Sequence, residues 1–377
     1  MKSKTDIDYS LLIITLSLLA VGLIILFSAS GAYAYLRKGD SYFFIKRQLI
    51  WAALGLVFLW IGTRFNYQRY QKLAIPLLLL TLGLLAAVLL PQLGQGSKGA
   101  HRWINLGFMG LGFIHFQPSE IAKLSLVIYL ASSLVRKRQK MENFINGFLP
   151  YFVILGAISI MVVMEPDLGS AIIIAMIAFV LLFAGGARIS HMVYALILAL
   201  VPLCFSIFEV GYRKDRIMAF LNPELDPQGV AFQPLHFKIA LGSGGLWGLG
   251  PGKGQEKLFY LPTPHTDSIF AVIGEEFGFI GTTFIIVLFL AMALRGLKIA
   301  RKAPDALGKL LAVGLTSIIC LQAAVNMAVV TVILPTTGTT LPFISYGGSS
   351  LLICLTAVGI LLNISKTSLP KPNSGDE

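Results

Sequence analysis

The sequence runs to 377 residues, 56% hydrophobic and only 13% charged, with a formal net charge of +12. A soluble domain carries about a quarter charged residues, so this composition excludes an ordinary soluble enzyme. The basic excess sits in short stretches such as "VRKRQK" and "RGLKIARK", which fits membrane topology and lipid headgroups and argues against nucleic acid as a partner.

In chain order, the apolar residues fall into runs of about 18–25, each long enough for a ~30 Å hydrocarbon core. Ten spans are predicted, near 9–31, 46–63, 73–91, 118–135, 145–164, 168–186, 190–210, 268–294, 310–334 and 341–363. The first run leads into "AYA" at residues 32–34, which has the look of a signal-peptidase site. At about 22 residues the run is too long for a signal h-region of about 7–15, so an uncleaved helix is expected. Cys204, Cys320 and Cys354 lie far apart in apolar segments and read as packing. The expected fold is an all-α polytopic membrane protein, a single transmembrane domain over 1–377. It has about ten helices, one long external loop at 211–267 and a short tail at 364–377. An even number of spans puts both termini on one side. Basic residues are denser in the segments that share that side, so both termini are expected in the cytoplasm.

The fourth span opens "FQPSEIAKLSLVIYLA". Pro118 suits a first helical turn, and Glu120 and Lys123, three apart, share a face. Two readings stay open: a neutralised structural pair, or a polar cavity that faces a charged substrate. "EPDLGSA" places Glu165, Pro166 and Asp167 in a tight turn. Asp167 can cap the next helix, a role that does not account for Glu165. The long loop is not low in complexity. Its stretch "FQPLHFKIALGSGGLWGLGPGKG" argues for re-entrant or interfacial packing. The glycines between 242 and 254 resemble a phosphate-cradling loop, and Lys253 and Lys257 would suit a pyrophosphate. The pattern GxxxxGK[ST] is absent, and plain conformational permissiveness is the alternative.

The loop ends in "HTDSIFAVIGEEFG", residues 265–278. Asp267, Glu275 and Glu276 stand at the mouth of an apolar helix, beside His265. An ionised acid at a helix centre costs roughly 2.5–3.5 kcal/mol on insertion scales, so each needs a reason to be there. Adjacent glutamates point about 100° apart on a helix. At least one is therefore expected to be structural, bonded to loop backbone or to a Lys or Arg. Further on, "LPTTGTTLPFISYGGSS" breaks a helix at membrane depth. Such backbone survives only where protein or a water-filled cavity satisfies it, and hydroxyls including that of Ser349 can do so.

Together "FQPSEIAKL", "EPDLGSA", "ALGSGGLWGLGPGKG", "YLPTPHTDSIFAVIGEEFGFIG" and "LPTTGTTLPFISYGGSSLL" resemble the signature segments of the SEDS family (FtsW, RodA and SpoVE), in order over about residues 10–365. "LPFISYGGSS" leans towards the FtsW type. The resemblance implies ten helices in the bacterial inner membrane. It also implies a glycosyltransferase that polymerises lipid II outside that membrane, for cell division or elongation. It implies a class B penicillin-binding protein as transpeptidase partner, among other divisome or elongasome membrane proteins. Asp267 matches the family's essential Asp and is the expected catalytic base. Arg102, Lys123 or a divalent cation (Mg or Mn) would stabilise the leaving pyrophosphate. One departure stands out: where members carry a "YQxxQS" type sequence, this chain has Phe232, Gln233, Pro234, Leu235, His236 and Phe237. Gln233 is kept, and the second Gln and the Ser are His and Phe. A lipid II flippase and a non-catalytic divisome scaffold are the rival readings.

Overall fold

The computed structural model describes residues 7–90, 94–95, 102–105, 115–137, 141, 143–209, 211–222, 224 and 226–367. Among the described residues, ten apolar helices form the bundle, eight of them long enough to cross a membrane and two shorter. They are α1 (Tyr9–Lys38), α2 (Phe43–Arg64), α3 (Tyr70–Val88), α4 (Pro118–Lys137), α5 (Leu149–Met164), α6 (Leu168–Ala184), α7 (Ile189–Phe208), α11 (Ile269–Lys302), α12 (Ala306–Val330) and α13 (Gly348–Lys366). The predicted 211–267 loop is folded into α8 (Gly211–Leu221), α9 (Phe232–Gly244) and the single turn α10 (Glu256–Phe259).

Local chemistry sets several ends. Asp8 caps α1 by accepting from Leu11 N, and Gly39 closes it in the left-handed region. Asp305 caps α12 by accepting from Gly308 N, 2.6 Å. Three details depart from the sequence reading. A small antiparallel sheet, β1 (Gly94–Gln95), β2 (Trp103–Asn105) and β3 (His115–Phe116), joins α3 to α4. Its strands are too short for any residue pattern to announce them. The predicted 310–334 span ends four residues early, at Val330, and the last span starts late, at Gly348, because 331–347 is apolar yet irregular. Finally, α11 is two helices joined at a break at Gly278.

Burial ranks the helices. In α13 and α4, 89% and 78% of the apolar window is enclosed, against 28% in α11. The centre of the bundle is therefore α4, α12 and α13, and Glu120 and Lys123 of α4 are shielded there from lipid. Helices α1, α2, α3, α7 and α11 present large exposed apolar side chains such as Ile24, Trp60, Leu79, Val201 and Leu290, which is a lipid-facing surface.

The two described ends of the chain meet, since Asp8 N donates to Ser365 Oγ, 3.1 Å. Beside them the buried Asn363 of α13 stitches the α2–α3 connection. Its Oδ1 accepts from Tyr67 N, 3.0 Å, and its Nδ2 donates to Thr63 O, 3.0 Å. Asn363→Leu should cost about 1–3 kcal/mol, the penalty for leaving buried backbone groups unpaired. Thermal unfolding of the detergent-purified chain measures it; an unchanged midpoint would mean that water replaces both bonds.

Candidate active site

The site is built on the break in α11. Gly278 has φ +65° and ψ −161°, a conformation open mainly to glycine. The break frees backbone groups on both sides, and the glycine-rich stretch after α9 takes them up. Phe279 N and Ile280 N donate to Gly245 O and Leu246 O; Leu249 N and Gly250 N donate to Glu275 O and Glu276 O. A side chain on Gly244 would run into the Gly274 carbonyl. The glycines are thus a plug in a broken helix, not a phosphate cradle.

This corrects four expected cavity residues. Glu275 Oε1 accepts from Gln255 N, 2.6 Å, and Glu256 N, 3.0 Å. Glu276 is ion-paired with Lys257, and Ser28 Oγ donates to it at 2.7 Å. Lys253 is exposed on the plug. None of Glu275, Glu276, Lys257 and Lys253 lines the cavity. Two hold the plug to the helix, one neutralises an acid, and the last faces away.

The cavity itself, about 510 Å³, lies among α4, α6, α12 and the turn that precedes α11. Asp267 is on its wall. The main chain there is pinned at three successive carbonyls: Tyr346 N donates to His265 O, 2.8 Å, Ser345 Oγ to Thr266 O, 2.5 Å, and Asn326 Nδ2 to Asp267 O, 3.0 Å. The carboxylate is held from two directions. Thr263 and Thr266 hydroxyls each donate to Oδ1 at 3.0 Å, and Gln233 Nε2 donates to Oδ2 at 3.2 Å. His265 is 5% exposed among Phe44, Tyr33 and Tyr346 rings. Burial lowers its pKa to about 4, so it is neutral at physiological pH and a weaker base than an ordinary histidine.

Opposite stands Asp167, which does cap α6, by accepting from Ser170 N at 3.1 Å. Its other oxygen accepts from Gln117 Nε2, 2.9 Å. Deeper, Lys123 Nζ donates to Glu120 Oε1, 2.8 Å, and to Gln322 Oε1, 2.5 Å. The neutralised Glu120–Lys123 pair also lines the cavity. Arg102 also lines it and donates to the carbonyls of Glu165 and Pro166. Gln233 and Ser349 stand behind the wall; Ser349 Oγ accepts from Gln117 N, 3.1 Å.

The structure adds residues that the sequence reading missed. Arg216 of α8 lines the cavity and donates to Thr336 O, 2.8 Å; nothing in a polar loop marks it out. Gln322 and Asn326 were findable, being polar residues four apart in an apolar span. For the expected divalent cation, the described residues offer no cluster of three His, Cys, Asp or Glu side chains. The oxygens of Asp167 and Asp267 already accept from protein donors. A cage is not prebuilt.

The family model described as "cell cycle protein", that of FtsW, RodA and SpoVE, matches residues 9–369. The chain belongs to that family. It is 43% identical over 358 residues to the probable peptidoglycan glycosyltransferase FtsW of Geobacter sulfurreducens, covering 95% of each chain. It is 41% identical over 365 residues to stage V sporulation protein E of Bacillus subtilis, covering 97% of this chain and 98% of that one. Among solved structures, the rod shape determining protein RodA of Thermus thermophilus superposes with TM-score 0.71 at 26% identity, covering 97% and 98%. A chain of a peptidoglycan synthase complex that coordinates polymerization and crosslinking gives TM-score 0.76 at 27% identity, covering 95% and 97%.

Two predictions follow from the site's charges. Glu120→Gln should destabilise the fold by about 3–5 kcal/mol, because it strands a buried ammonium, and Glu120→Gln with Lys123→Met should recover most of that loss. Urea titration in mixed micelles compares them; a double variant less stable than either single one contradicts the pairing. The second concerns Glu165, in the turn beyond α5. It is fully buried, and neither carboxylate oxygen has a hydrogen-bond partner. Burial, reinforced by Asp167 and opposed by Arg102, raises its pKa from 4.5 to about 8. An acid so shifted adds stability that is complete below its unfolded pKa and lost as pH rises through about 8. Glu165→Gln should therefore gain thermal stability relative to wild type between about pH 5 and about pH 9. A difference that is flat with pH would show that Glu165 is ionised in the fold.

Proposed function

We propose that the chain is a peptidoglycan glycosyltransferase that polymerises lipid II, with Asp267 as general base. The carrying observation is the placement of Asp267: a carboxylate on a polar cavity wall, its main chain pinned and both oxygens aimed by side-chain donors. In the reaction, the 4-hydroxyl oxygen of the acceptor sugar attacks the anomeric carbon of the donor. Asp267 takes the hydroxyl proton as the new carbon–oxygen bond forms. The bond from that carbon to the pyrophosphate oxygen breaks, and undecaprenyl pyrophosphate leaves, with inversion as in single-base glycosidase logic. Arg102, Arg216 and Lys123, all on the cavity wall, supply cationic donors for the charge that develops on the leaving group.

A second cavity suits the lipid. About 560 Å³ in size and almost wholly apolar, it lies between α5, α6 and α7, lined by side chains such as Leu155, Val163, Ile172 and Leu198. Helix α6 divides the two cavities, with Ser170 and Ile173 on the polar side and Ala171 and Ile172 on the apolar one. A polyprenyl tail in the groove would place its pyrophosphate near the polar end of α6. The asymmetry of basic loops supports an orientation with both termini cytoplasmic in the bacterial inner membrane, and the catalytic end outside. The likeness to a chain of a synthase complex supports a class B penicillin-binding protein as partner. The identities to FtsW and stage V sporulation protein E, 43% and 41%, against 26% to RodA, support a role in division or sporulation.

The test is polymerisation of lipid II by the purified chain, with and without its penicillin-binding partner, alongside transport of fluorescent lipid II in proteoliposomes. Glycan product without transport is expected. Transport without product would make the cavity a flippase path, and neither would leave a scaffold. Shortening the tail of the lipid II should raise KM more than it lowers kcat, since the groove contributes binding rather than chemistry. Equal KM for short and long tails would remove the groove from the substrate site.

A further inference from the structure

Asp267 is held from two sides by segments far apart in the chain. Thr263 and Thr266, in the turn after α10, hold Oδ1, and Gln233, on α9, holds Oδ2. The bond angle between acid and acceptor depends on the spacing of those two segments. One face of α9, Pro234, Phe237, Ala240 and Gly244, is buried, and the tightest approach is at its C-terminal end. Gly244, at its last residue, abuts Gly274 of α11, but Gln233 lies eleven residues earlier, about 16 Å along a helix axis.

Near Gln233 an ion pair bridges α9 to the segment that carries Thr263. Glu256 Oε2 accepts from His236 Nδ1 at 2.6 Å, with both side chains 12% exposed. An ionised carboxylate only accepts, so Nδ1 carries the hydrogen. The imidazole also stacks on Tyr260, 5.2 Å between centroids and 14° between planes, and packs on Phe232 at 4.2 Å. Glu256 O in turn accepts from Tyr260 N, 3.1 Å, and Leu261 N, 2.8 Å, so Glu256 is the root of the turn that carries Thr263. His236 and Gln233 are three apart and share a face of α9. His236 is also the residue at which this chain departs from the family's usual second Gln.

We propose that the His236–Glu256 bridge is a strut that positions Asp267 for proton transfer, by fixing the spacing between Gln233 on α9 and the Thr263–Thr266 turn. This rests on the reading of Asp267 as base. His236 is a positioning residue; it touches neither cavity nor substrate. Because the main chain at Asp267 is pinned independently by Tyr346, Ser345 and Asn326, loss of the strut re-aims the carboxylate without dismantling the cavity. Rate falls and substrate binding stays.

The experiment measures lipid II polymerisation by the full-length purified chain. His236→Ala should lower kcat by at least about tenfold, within the ~10²-fold that a small misplacement can cost, and leave KM within about twofold. His236→Asn puts an amide nitrogen close to the place of Nδ1 and should recover most of the rate. The decisive comparison is with Gln233→Ala. If the strut acts through Gln233, His236→Ala adds nothing in the Gln233→Ala background, whereas independent effects multiply. Unchanged kcat in His236→Ala, a matching rise in KM, or multiplied effects would each overturn the proposal. A second readout needs no turnover. Amide exchange at Tyr260, Leu261 and Thr266 should quicken in His236→Ala while α12 stays protected, and unchanged exchange there would overturn the strut. Asp267→Asn, run in the same series, reports on the base alone: full activity in that variant would remove the base reading, and the exchange measurement would still decide whether the bridge holds the turn.

Discussion

A helix that breaks inside a membrane-spanning bundle has to find new partners for the backbone groups it frees, because lipid supplies none. In this protein that requirement fixes everything around the site. Gly278 breaks α11, and four hydrogen bonds from the 245–250 stretch close the gap. That stretch must then lie against the break, which anchors α9 at Gly244. Glu275 reaches across to the backbone of Gln255 and Glu256, which anchors α10. The turn from α10 back into α11 starts from that anchor, and Asp267 sits in it. An acid at the mouth of an apolar helix is thus the end product of a chain of satisfied backbone groups.

The second constraint is enclosure. Charges at depth need surroundings that pair or shield them, and α4 is one of the most enclosed helices. Lys123, Glu120 and Gln322 form a connected set there, with Gln322 Nε2 continuing to Thr340 O and Ser350 Oγ at 3.1 and 3.0 Å. The set ties α4 and α12 to the irregular 331–347 segment. That same segment supplies Ser345 and Tyr346 to the main chain at Asp267. The polar floor of the cavity and its catalytic wall therefore share one support. A substitution at Gln322 should be felt at Asp267 through Thr340 and not through a direct contact.

Much of this was legible in residue order. Ten helices follow from the apolar run lengths, and the helix-capping role of Asp167 and the structural role of at least one of Glu275 and Glu276 follow from position and helical geometry. What stayed hidden has physical reasons. A glycine-rich plug and a phosphate loop share composition, because both need backbone to come close to something; only the partner tells them apart, and here it is α11. The start of α13 was misplaced because Leu341, Phe343 and Ile344 are buried and so as apolar as a span, while their backbone is not helical. Arg216 was invisible because its relation to the cavity is made by the path of α8, and no local pattern encodes that path. His236 showed only as a departure from a family pattern, with no sign of Glu256 twenty residues on.

The central claim is that Asp267 accepts the proton of the attacking hydroxyl. Asp267→Asn keeps the shape and can still accept from Thr263 and Thr266, but it cannot take a proton. The most direct measurement is the rate of lipid II polymerisation by this variant, purified, monodisperse on detergent gel filtration and matched to wild type in thermal unfolding. General-base catalysis typically contributes about 10²–10⁴-fold, so the account predicts a rate lower by at least about 10²-fold with the fold intact. Near-normal glycan synthesis by well-folded Asp267→Asn protein would contradict it.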